Sequence, residues 1–294
     1  MSTRRSFIKT SAILSTGLLT TPNLFAYDKK YIGLQLYTVR DAMQANPVAT
    51  LAKVAQIGYN SVEGATYTGT QNFYGMDAKT FAKQLKQNGL IMPSGHYRLG
   101  EEKTNGADTK GTILHNWDKA IDDAAEVGLK YMVCAYLSDP ERGNLDKYKR
   151  IADDFNKAAE RCKKAGIQFA YHNHDFEFIQ QDGKYPYEIL LNNTDKDLVK
   201  MEMDIYWVVK AKQDPIALIE QHPGRFPLWH VKDMARSIDQ TFAEVGGGII
   251  NFKKIFDHAD KSGLKYFFVE QDKTPGNPYD SITQSLDYIK RNLD

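Results

Sequence analysis

The chain has 294 residues, of which 42% are hydrophobic and 26% charged, and its formal net charge is +1. This balance excludes a disordered chain, a collagen and a coiled coil, and the near-neutral charge argues against a general nucleic-acid binder. The two cysteines are too few for a disulfide framework or a cysteine-rich zinc site.

The first segment, residues 1–26, has the order of features of a bacterial twin-arginine signal peptide. Arg4 and Arg5 precede an uncharged apolar stretch from Ser11 to Leu19. That stretch is far shorter than the ~20 residues needed to span a bilayer, so removal is favoured over a permanent anchor. A basic N-terminus with a chance arginine pair is the alternative. Cleavage would leave 35 Lys and Arg against 37 Asp and Glu, a net charge of −2. We predict a periplasmic mature protein, residues 27–294, with no membrane or nucleic-acid partner.

Short β-rich runs then alternate with amphipathic stretches along the chain. Eight strands are predicted, at Tyr31–Thr38, Asn60–Gly64, Leu90–Tyr97, Lys130–Leu137, Ile167–His174, Val199–Asp204, Phe226–Asp233 and Leu264–Gln271. Helices are predicted at Pro47–Ile57, Ala78–Asn88, Trp117–Val127, Asp146–Ala165 and Phe252–Ser262. Parallel neighbours need a crossover connection, so eight strand–helix units predict one α/β domain, a closed (β/α)8 TIM barrel.

Six glycines stand just before predicted strands, where a residue in the left-handed conformation can end a helix. They are Gly58, Gly89, Gly128, Gly166, Gly224 and Gly263. No Gly-x-Gly-x-x-Gly motif follows the first strand, and this argues against a dinucleotide-binding fold.

Ionisable side chains collect at the carboxyl ends of the predicted strands, where the active site of such a barrel lies. Asp204, His230 and Glu270 fall at the ends of strands six, seven and eight. Packing these three groups into one mouth costs desolvation unless something compensates them, so we predict that they bind a metal ion. Carboxylate and imidazole ligands together suit Mn²⁺, Fe²⁺, Co²⁺, Zn²⁺ or Mg²⁺. For Glu63 or His96 taken alone, an ordinary hydrogen-bonded polar residue is the simpler interpretation.

Five blocks of sequence carry a family resemblance. They are Gly33–Asp41, Tyr171–Phe178, Met203-Asp204 followed by Trp207, Trp229–Asp233 and Val269-Glu270. With these blocks the chain resembles the sugar phosphate isomerase/epimerase superfamily of xylose isomerase-like TIM barrels, in an exported bacterial branch. The resemblance covers nearly all of the mature chain and is specific to the family, not to a substrate.

The resemblance implies one divalent metal ion, with Mn²⁺ first, held by Glu, Asp, His and Glu from strands five to eight. Asp204, His230 and Glu270 match the last three positions. The strand-five position holds His172, and Glu177 lies five residues later. We expect Glu177 to be the fourth ligand, with His172 as a direct ligand a close second.

The candidate catalytic residues are His172, His174, Lys232 and Glu270. A histidine or a carboxylate can take the proton from the carbon between a carbonyl and a hydroxyl group. Lys232 can polarise an oxygen or protonate a leaving group, unless it only forms a salt bridge with a neighbouring acid. Substrate-binding residues are expected among the other polar and aromatic side chains at the strand ends: Gln35, Tyr37, Arg40, Glu63, His96 and Trp207.

The expected function is a divalent-metal-dependent sugar isomerase or epimerase that acts through an enediolate on a non-phosphorylated sugar or keto-sugar. A phosphate loop is not recognisable after strands seven and eight. The first alternative is a lyase or dehydratase acting on 3-keto-glycosides or inosose-like substrates, because expelling a leaving group begins with the same proton transfer. A non-catalytic sugar-binding barrel is the second alternative. A homo-oligomer is compatible with the sequence.

Overall fold

A computed structural model of the protein describes residues 31–101 and 109–293. The predicted signal peptide, residues 1–26, lies outside the described residues. The described strands are β1 (Gly33–Gln35), β2 (Ser61–Gly64), β3 (Ile91–Tyr97), β4 (Tyr131–Cys134), β5 (Gln168–His172), β6 (Val199–Asp204), β7 (Leu228–Val231), β8 (Asp233–Met234), β9 (Phe242–Ala243) and β10 (Tyr266–Val269).

Twelve α-helices occur in the described part of the chain, together with two short 3-10 helices. The α-helices are α1 (Arg40–Ala45), α2 (Pro47–Ile57), α3 (Ala78–Gln87), α4 (Trp117–Val127), α5 (Asp139–Arg142), α6 (Leu145–Lys164), α7 (Pro186–Asn193), α8 (Ile205–Lys210), α9 (Pro215–Gln221), α10 (Phe252–Phe256), α11 (Ala259–Ser262) and α12 (Pro278–Asn292). The 3-10 helices are Leu36–Val39 and Phe176–Phe178.

Eight of the strands close into a barrel in which every pairing is parallel. Around the barrel the order is β1, β10, β7, β6, β5, β4, β3 and β2. This confirms the predicted (β/α)8 fold and all eight predicted strands. The helices α2 and α4 match their predicted bounds, whereas the predicted helix at Phe252–Ser262 divides into α10 and α11.

The first strand is shorter than predicted because its last residues turn into a 3-10 helix. The Gln35 side chain accepts a hydrogen bond from the Tyr37 backbone N–H at 3.0 Å and caps this helix. The chain therefore leaves the barrel wall at Gln35, three residues before the expected end of the strand. The six glycines before the strands all have a positive φ, and Gly58 (116°) and Gly128 (94°) are the C-cap residues of α2 and α4.

The interior of the barrel changes from apolar to polar along the strands. Val133, Ala170, Leu228 and Phe268 form a buried apolar cluster inside the barrel. Two residues further along β7 the inward side chain is His230, because alternate residues of a strand share a face. The outward side chains of the strands join the larger apolar core against the helices. The buried carboxylates and histidines of the interior thus lie in the carboxyl half of the barrel.

An antiparallel hairpin that the sequence did not predict follows β7. Its base is held by the Asp233 carboxylate, which accepts backbone hydrogen bonds of 2.7–3.1 Å from Met234, Gly246, Gly248 and Ile250. The hairpin brings the Phe242 ring to the barrel mouth. Among the described residues no helix combines the length and apolar character that a membrane crossing requires.

Candidate metal centre and active-site cleft

The carboxyl ends of β6, β7 and β10 bring Asp204, His230 and Glu270 together. His230 Nδ1 lies 2.8 Å from Glu270 Oε2 and 3.9 Å from Asp204 Oδ2. One ligand atom from each residue lies within 4.8 Å of the other two, and all three residues are buried. These residues, which the sequence singled out, form what we call the outer group.

The fourth candidate position is occupied by His172 at the end of β5. Its Nε2 lies 3.6 Å from Asp204 Oδ2, so the ring faces the outer group. His172 thus places an imidazole at the position where the resemblance implies a carboxylate ligand. Of the two strand-five candidates, His172 is the one whose ring lies beside the Asp204 carboxylate.

Glu177, the expected strand-five ligand, is not brought to this group. Its Oε1 accepts a hydrogen bond from the Tyr171 hydroxyl, and its Oε2 accepts one from the His174 backbone N–H at 2.9 Å. Tyr171 precedes His172 and therefore faces away from the barrel interior, where its ring contacts Phe155 of α6. The structure thus corrects the expectation that Glu177 swings back to the metal: it holds the turn after β5 from the outside.

A second buried group lies next to the outer group and contains a residue that the sequence analysis missed. Glu202 Oε2 lies 2.9 Å from His96 Nε2, 3.0 Å from His172 Nδ1 and 3.3 Å from His230 Nε2. Glu202 faces inward because it stands two residues before Asp204 on β6. That parity, and a charged residue between two methionines of a buried strand, could have identified it. We call His96, His172, Glu202 and His230 the inner group.

Two residues expected to bind substrate belong to this buried region. Glu63 is fully buried, and its Oε2 lies 2.6 Å from His230 Nε2 and 3.2 Å from His96 Nε2. Gln35 Nε2 donates to the same oxygen at 2.8 Å. Neither Gln35 nor Glu63 is among the described residues that line the cleft above. Direct substrate contact through these two side chains therefore does not fit the structure.

The cleft above the groups has a volume of about 440 Å³ and opens at the barrel mouth. Its ionisable lining residues include His96, His172, His174, Lys232, Glu270 and Asp272. Its aromatic lining residues are Tyr37, Tyr67, Tyr97 and Tyr136. The rings of Tyr37 and Tyr136 are partly exposed and can cover the C–H face of a sugar.

Two other residues expected to bind substrate stand beside the cleft. Arg40 lies over the Tyr37 ring, with its guanidinium carbon 4.4 Å from the ring centroid, and lines a neighbouring polar depression. The Trp207 ring centroid is 5.6 Å from Lys232 Nζ. Arg40 and Trp207 therefore contact residues that line the cleft, Tyr37 and Lys232, but do not line it themselves.

Lys232 is surrounded by carboxylates. Its Nζ lies 2.6 Å from Glu270 Oε2 and 2.9 Å from both Asp204 Oδ2 and Asp272 Oδ1. Burial would lower the pKa of Lys232, but these three acids raise it well above its usual value. An ammonium ion therefore lines the cleft next to the candidate ligands.

Burial and neighbouring charge shift the pKa values of the other groups in opposite directions. Burial would lower the pKa of His230, but the carboxylates of Glu202, Glu270 and Glu63 raise it. Burial would raise the pKa of Glu270, but Lys232 and His230 lower it. Burial and the charge of His230 lower the pKa of His172. The pKa values of chemically similar groups are thus shifted in opposite directions within one mouth.

The donor set fits a divalent cation. Five carboxylates lie at or just beneath the barrel mouth, and Lys232 contacts three of them. The five are Glu63, Glu202, Asp204, Glu270 and Asp272. Glu63 Oε1 and Glu202 Oε1 are buried without a hydrogen-bond partner in the described chain. Buried acids in excess of cations are costly unless a positive ion compensates them. Imidazole and carboxylate donors suit ions of the Mn²⁺, Fe²⁺, Co²⁺ and Zn²⁺ type.

The buried Glu177 leads to a prediction about stability and pH. Burial raises its pKa from 4.5 to about 7, so the folded chain retains a proton that the unfolded chain releases. The stability contributed by this group is therefore lost as the pH rises from about 4.5 through about 7. Glu177→Gln carries no such charge, so its unfolding free energy relative to wild type should rise by at most about 3 kcal/mol between about pH 5 and pH 8. Urea unfolding at both pH values measures this difference, and a pH-independent difference contradicts the prediction.

Comparison with known proteins places this chain among related barrels. The family model described as "Xylose isomerase-like TIM barrel" matches residues 51–292. An inosose dehydratase of Lacticaseibacillus casei is 24% identical over 259 residues, covering 76% of this chain and 85% of the relative. The crystal structure of a sugar phosphate isomerase/epimerase from Parabacteroides distasonis is 30% identical with a TM-score of 0.73, covering 92% of this chain and 98% of that one. A zinc-containing structure of the IOLI protein shares the fold at 14% identity and a TM-score of 0.67, covering 89% and 99% of the two chains.

Proposed function

The chain belongs to the xylose isomerase-like TIM barrel family and is an enzyme of the isomerase or lyase type; from this premise we propose that it acts on a non-phosphorylated sugar or keto-sugar with the help of one divalent metal ion. The observation that carries this proposal is the convergence of Asp204, His230 and Glu270 beside the Lys232 ammonium in the cleft. The non-catalytic sugar-binding alternative is set aside with the assignment to an enzyme family.

The ion would be held by the outer group together with His172. These four residues supply two carboxylates and two imidazoles, a set that suits Mn²⁺ first and Fe²⁺, Co²⁺, Zn²⁺ or Mg²⁺ as alternatives. When bound, a divalent ion supplies Lewis-acid stabilisation for the negative charge that develops on neighbouring substrate oxygens as an enediolate forms.

His174 is the better placed of the two strand-five histidines to move a proton. It lines the cleft, and its Nδ1 is buried without a hydrogen-bond partner among the described residues. Both ring nitrogens of His172, in contrast, lie beside carboxylates, Nδ1 at 3.0 Å from Glu202 and Nε2 at 3.6 Å from Asp204. His174 is therefore assigned the general-base role, and His172 the role of ligand.

Lys232 and Asp272 supply the acid side of the reaction. Both line the cleft, and their charged atoms lie 2.9 Å apart. The ammonium can neutralise a substrate oxygen or give a proton to a departing hydroxyl or alkoxyl group. The Trp207 and Phe242 rings lie 5.6 and 5.7 Å from Lys232 Nζ and shield it from water on one side.

Elimination is the second candidate outcome, a dehydratase or lyase acting on inosose-like or 3-keto-glycoside substrates. It is favoured by the relatives named inosose dehydratase and by the acid pair Lys232 and Asp272, because a leaving group needs a proton. Isomerisation and elimination begin with the same loss of a proton next to a carbonyl group. The two outcomes differ only in where the enediolate next reacts.

The test is turnover of a substrate panel by the purified protein, before and after chelation and after Mn²⁺ is restored. The panel contains free sugars, inososes and 3-keto-glycosides, and products are followed in deuterated water. Activity that disappears on chelation, returns with Mn²⁺ and exchanges deuterium next to the carbonyl supports the proposal. An isomeric product then indicates an isomerase, and a dehydrated or cleaved product a lyase. Full activity after chelation contradicts the metal-dependent mechanism.

We also propose that the mature protein is periplasmic and reaches the periplasm by the twin-arginine route. Arg4 and Arg5 before the apolar stretch support this proposal. Replacing both arginines by lysine should leave the precursor in the cytoplasm, as measured by cell fractionation. Export of the double variant at the wild-type level contradicts it.

A further inference from the structure

Each of the two candidate ligand histidines has its second ring nitrogen beside a buried carboxylate. His230 directs Nδ1 at Glu270, and its Nε2 lies 2.6 Å from Glu63 Oε2. His172 directs Nε2 at Asp204, and its Nδ1 lies 3.0 Å from Glu202 Oε2. Both rings therefore stand between a candidate ligand carboxylate and a deeper carboxylate.

We infer that Glu63 and Glu202 are positioning residues, which accept a hydrogen bond from His230 and His172 and so aim the opposite nitrogen of each ring at the metal ion. The inference rests on the metal centre proposed above. In each ring the contact with the deeper carboxylate is the shorter one, 2.6 against 2.8 Å for His230 and 3.0 against 3.6 Å for His172, so that nitrogen is assigned as the donor. A ring that donates from this nitrogen and binds the ion through the other is neutral, with the lone pair of that second nitrogen directed at the ion.

Two further side chains join these carboxylates into one continuous layer. His96 Nε2 lies 2.9 Å from Glu202 Oε2 and 3.2 Å from Glu63 Oε2. Gln35 Nε2 donates to Glu63 Oε2 at 2.8 Å, while Gln35 Oε1 accepts from the Tyr37 backbone N–H. The layer thus runs from β1 through β2 and β3 to β6. It connects the two candidate ligand rings to the turn that carries Tyr37 into the cleft.

The burial of the layer argues that it serves the site above it. Glu63 and Glu202 are both fully buried, and burying a carboxylate costs several kcal/mol unless it is well paired. The apolar cluster that includes Leu228, two residues before His230 on β7, shows that the barrel interior can be filled without charge. The buried carboxylates Glu63 and Glu202 stand at the level where the candidate ligand rings need acceptors.

An alternative is that the inner group itself binds a second ion, since its four ligand atoms lie within 4.8 Å of one another. The contact of His230 Nε2 with Glu63 Oε2, at 2.6 Å, is shorter than that of Nδ1 with Glu270 Oε2, at 2.8 Å, and therefore favours a hydrogen bond on the inner side. A ring nitrogen that donates its proton to a carboxylate has no lone pair for a metal. The number of ions per chain distinguishes these two arrangements.

The experiment compares Glu202→Gln and Glu63→Gln with wild type and with Glu177→Gln as a matched control. Glu177 is equally buried, but its carboxylate is bonded to Tyr171 and to the His174 backbone instead of a candidate ligand ring. Four quantities are measured on the full-length protein: bound ions per chain, Co²⁺ affinity by chelator competition, the visible spectrum of the Co²⁺ form and the melting temperature of the ion-free form.

We expect one ion per chain in wild type and in all three variants. Glu202→Gln and Glu63→Gln should weaken Co²⁺ binding by about 10–100-fold and shift its spectrum, whereas Glu177→Gln should change neither. A general packing defect would lower the melting temperature of the ion-free form without shifting the spectrum. If Glu202→Gln does not fold, Glu202→Asp withdraws the carboxylate while keeping its charge, and a smaller loss in the same direction is expected.

Three results would overturn the inference, and they are distinguishable. Unchanged affinity and spectrum in both layer variants would refute the positioning role while leaving the metal centre intact. Two ions in wild type and one in Glu202→Gln would make the inner group a metal site. No bound ion in wild type would refute the proposed metal centre itself.

Discussion

Replacing His230 by alanine is expected to abolish both metal binding and activity. His230 is the residue shared by the inner and outer groups, and its Nδ1 lies 2.8 Å from Glu270 Oε2. Without its ring, Asp204 and Glu270 lose the nitrogen ligand between them. Glu63 and Glu202 each lose one of their ring contacts. We expect metal affinity to fall by more than about 100-fold and turnover by at least about 10³-fold. Ion content after dialysis and turnover with excess Mn²⁺ measure the two effects.

The control for this variant is His258→Ala. His258 lies between α10 and α11, away from the barrel mouth, and its ring is bonded to the Lys254 carbonyl oxygen. It should keep wild-type ion content and activity. A His230→Ala protein that folds and still binds one ion with wild-type affinity would contradict the assignment of His230 as a ligand.

Lys232→Met should separate catalysis from metal binding. The side chains are similar in length, but methionine cannot neutralise a substrate oxygen or donate a proton. We therefore expect the rate to fall by about 10²–10⁴-fold, the usual contribution of a general acid. Metal affinity should not fall, because removing the ammonium leaves Asp204 and Glu270 more attractive to a cation. Steady-state kinetics at saturating Mn²⁺ and ion affinity are the two measurements.

Lys79→Met on α3 is the matched control, because Lys79 is exposed and does not line the cleft. It should change neither the rate nor the ion affinity. A Lys232→Met protein with a rate within a few-fold of wild type, and altered only in stability, would show that Lys232 serves as a salt-bridge partner alone.

The features of the site that sequence predicted are those set by local geometry. Asp204, His230 and Glu270 were predicted because each lies at or next to the carboxyl end of a strand and shares a face with the second residue before it. The two-residue period of a strand is the same in every fold, so parity along the chain survives into the structure. Glu202 obeys the same parity, two residues before Asp204, but strand periodicity alone does not show which inward carboxylates lie beside a ring nitrogen.

Residues beyond the strand ends were assigned less well. Glu177 was expected at the metal and instead bonds the Tyr171 hydroxyl on the outer side of β5. Its direction depends on the 3-10 turn at Phe176–Phe178 and on the space between the barrel and α6, neither of which strand periodicity reveals. Gln35 and Glu63 were correctly placed at strand ends but lie beneath the cleft, because the first strand ends early and the chain turns outward above them.

By itself the sequence determined the alternation of eight strands with helices, the glycines that end those helices and the three strand-end groups of the candidate metal centre. These follow from backbone conformation and from side-chain periodicity, which act over a few residues. The tertiary structure decided which carboxylates touch which ring nitrogens, because those contacts join residues far apart in the chain, such as His172 and Glu202, separated by 30 positions, and His230 and Glu63, separated by 167. Only closure of the barrel brings such side chains within hydrogen-bond distance. The outer group and the layer of carboxylates beneath it can therefore be distinguished only in the folded chain.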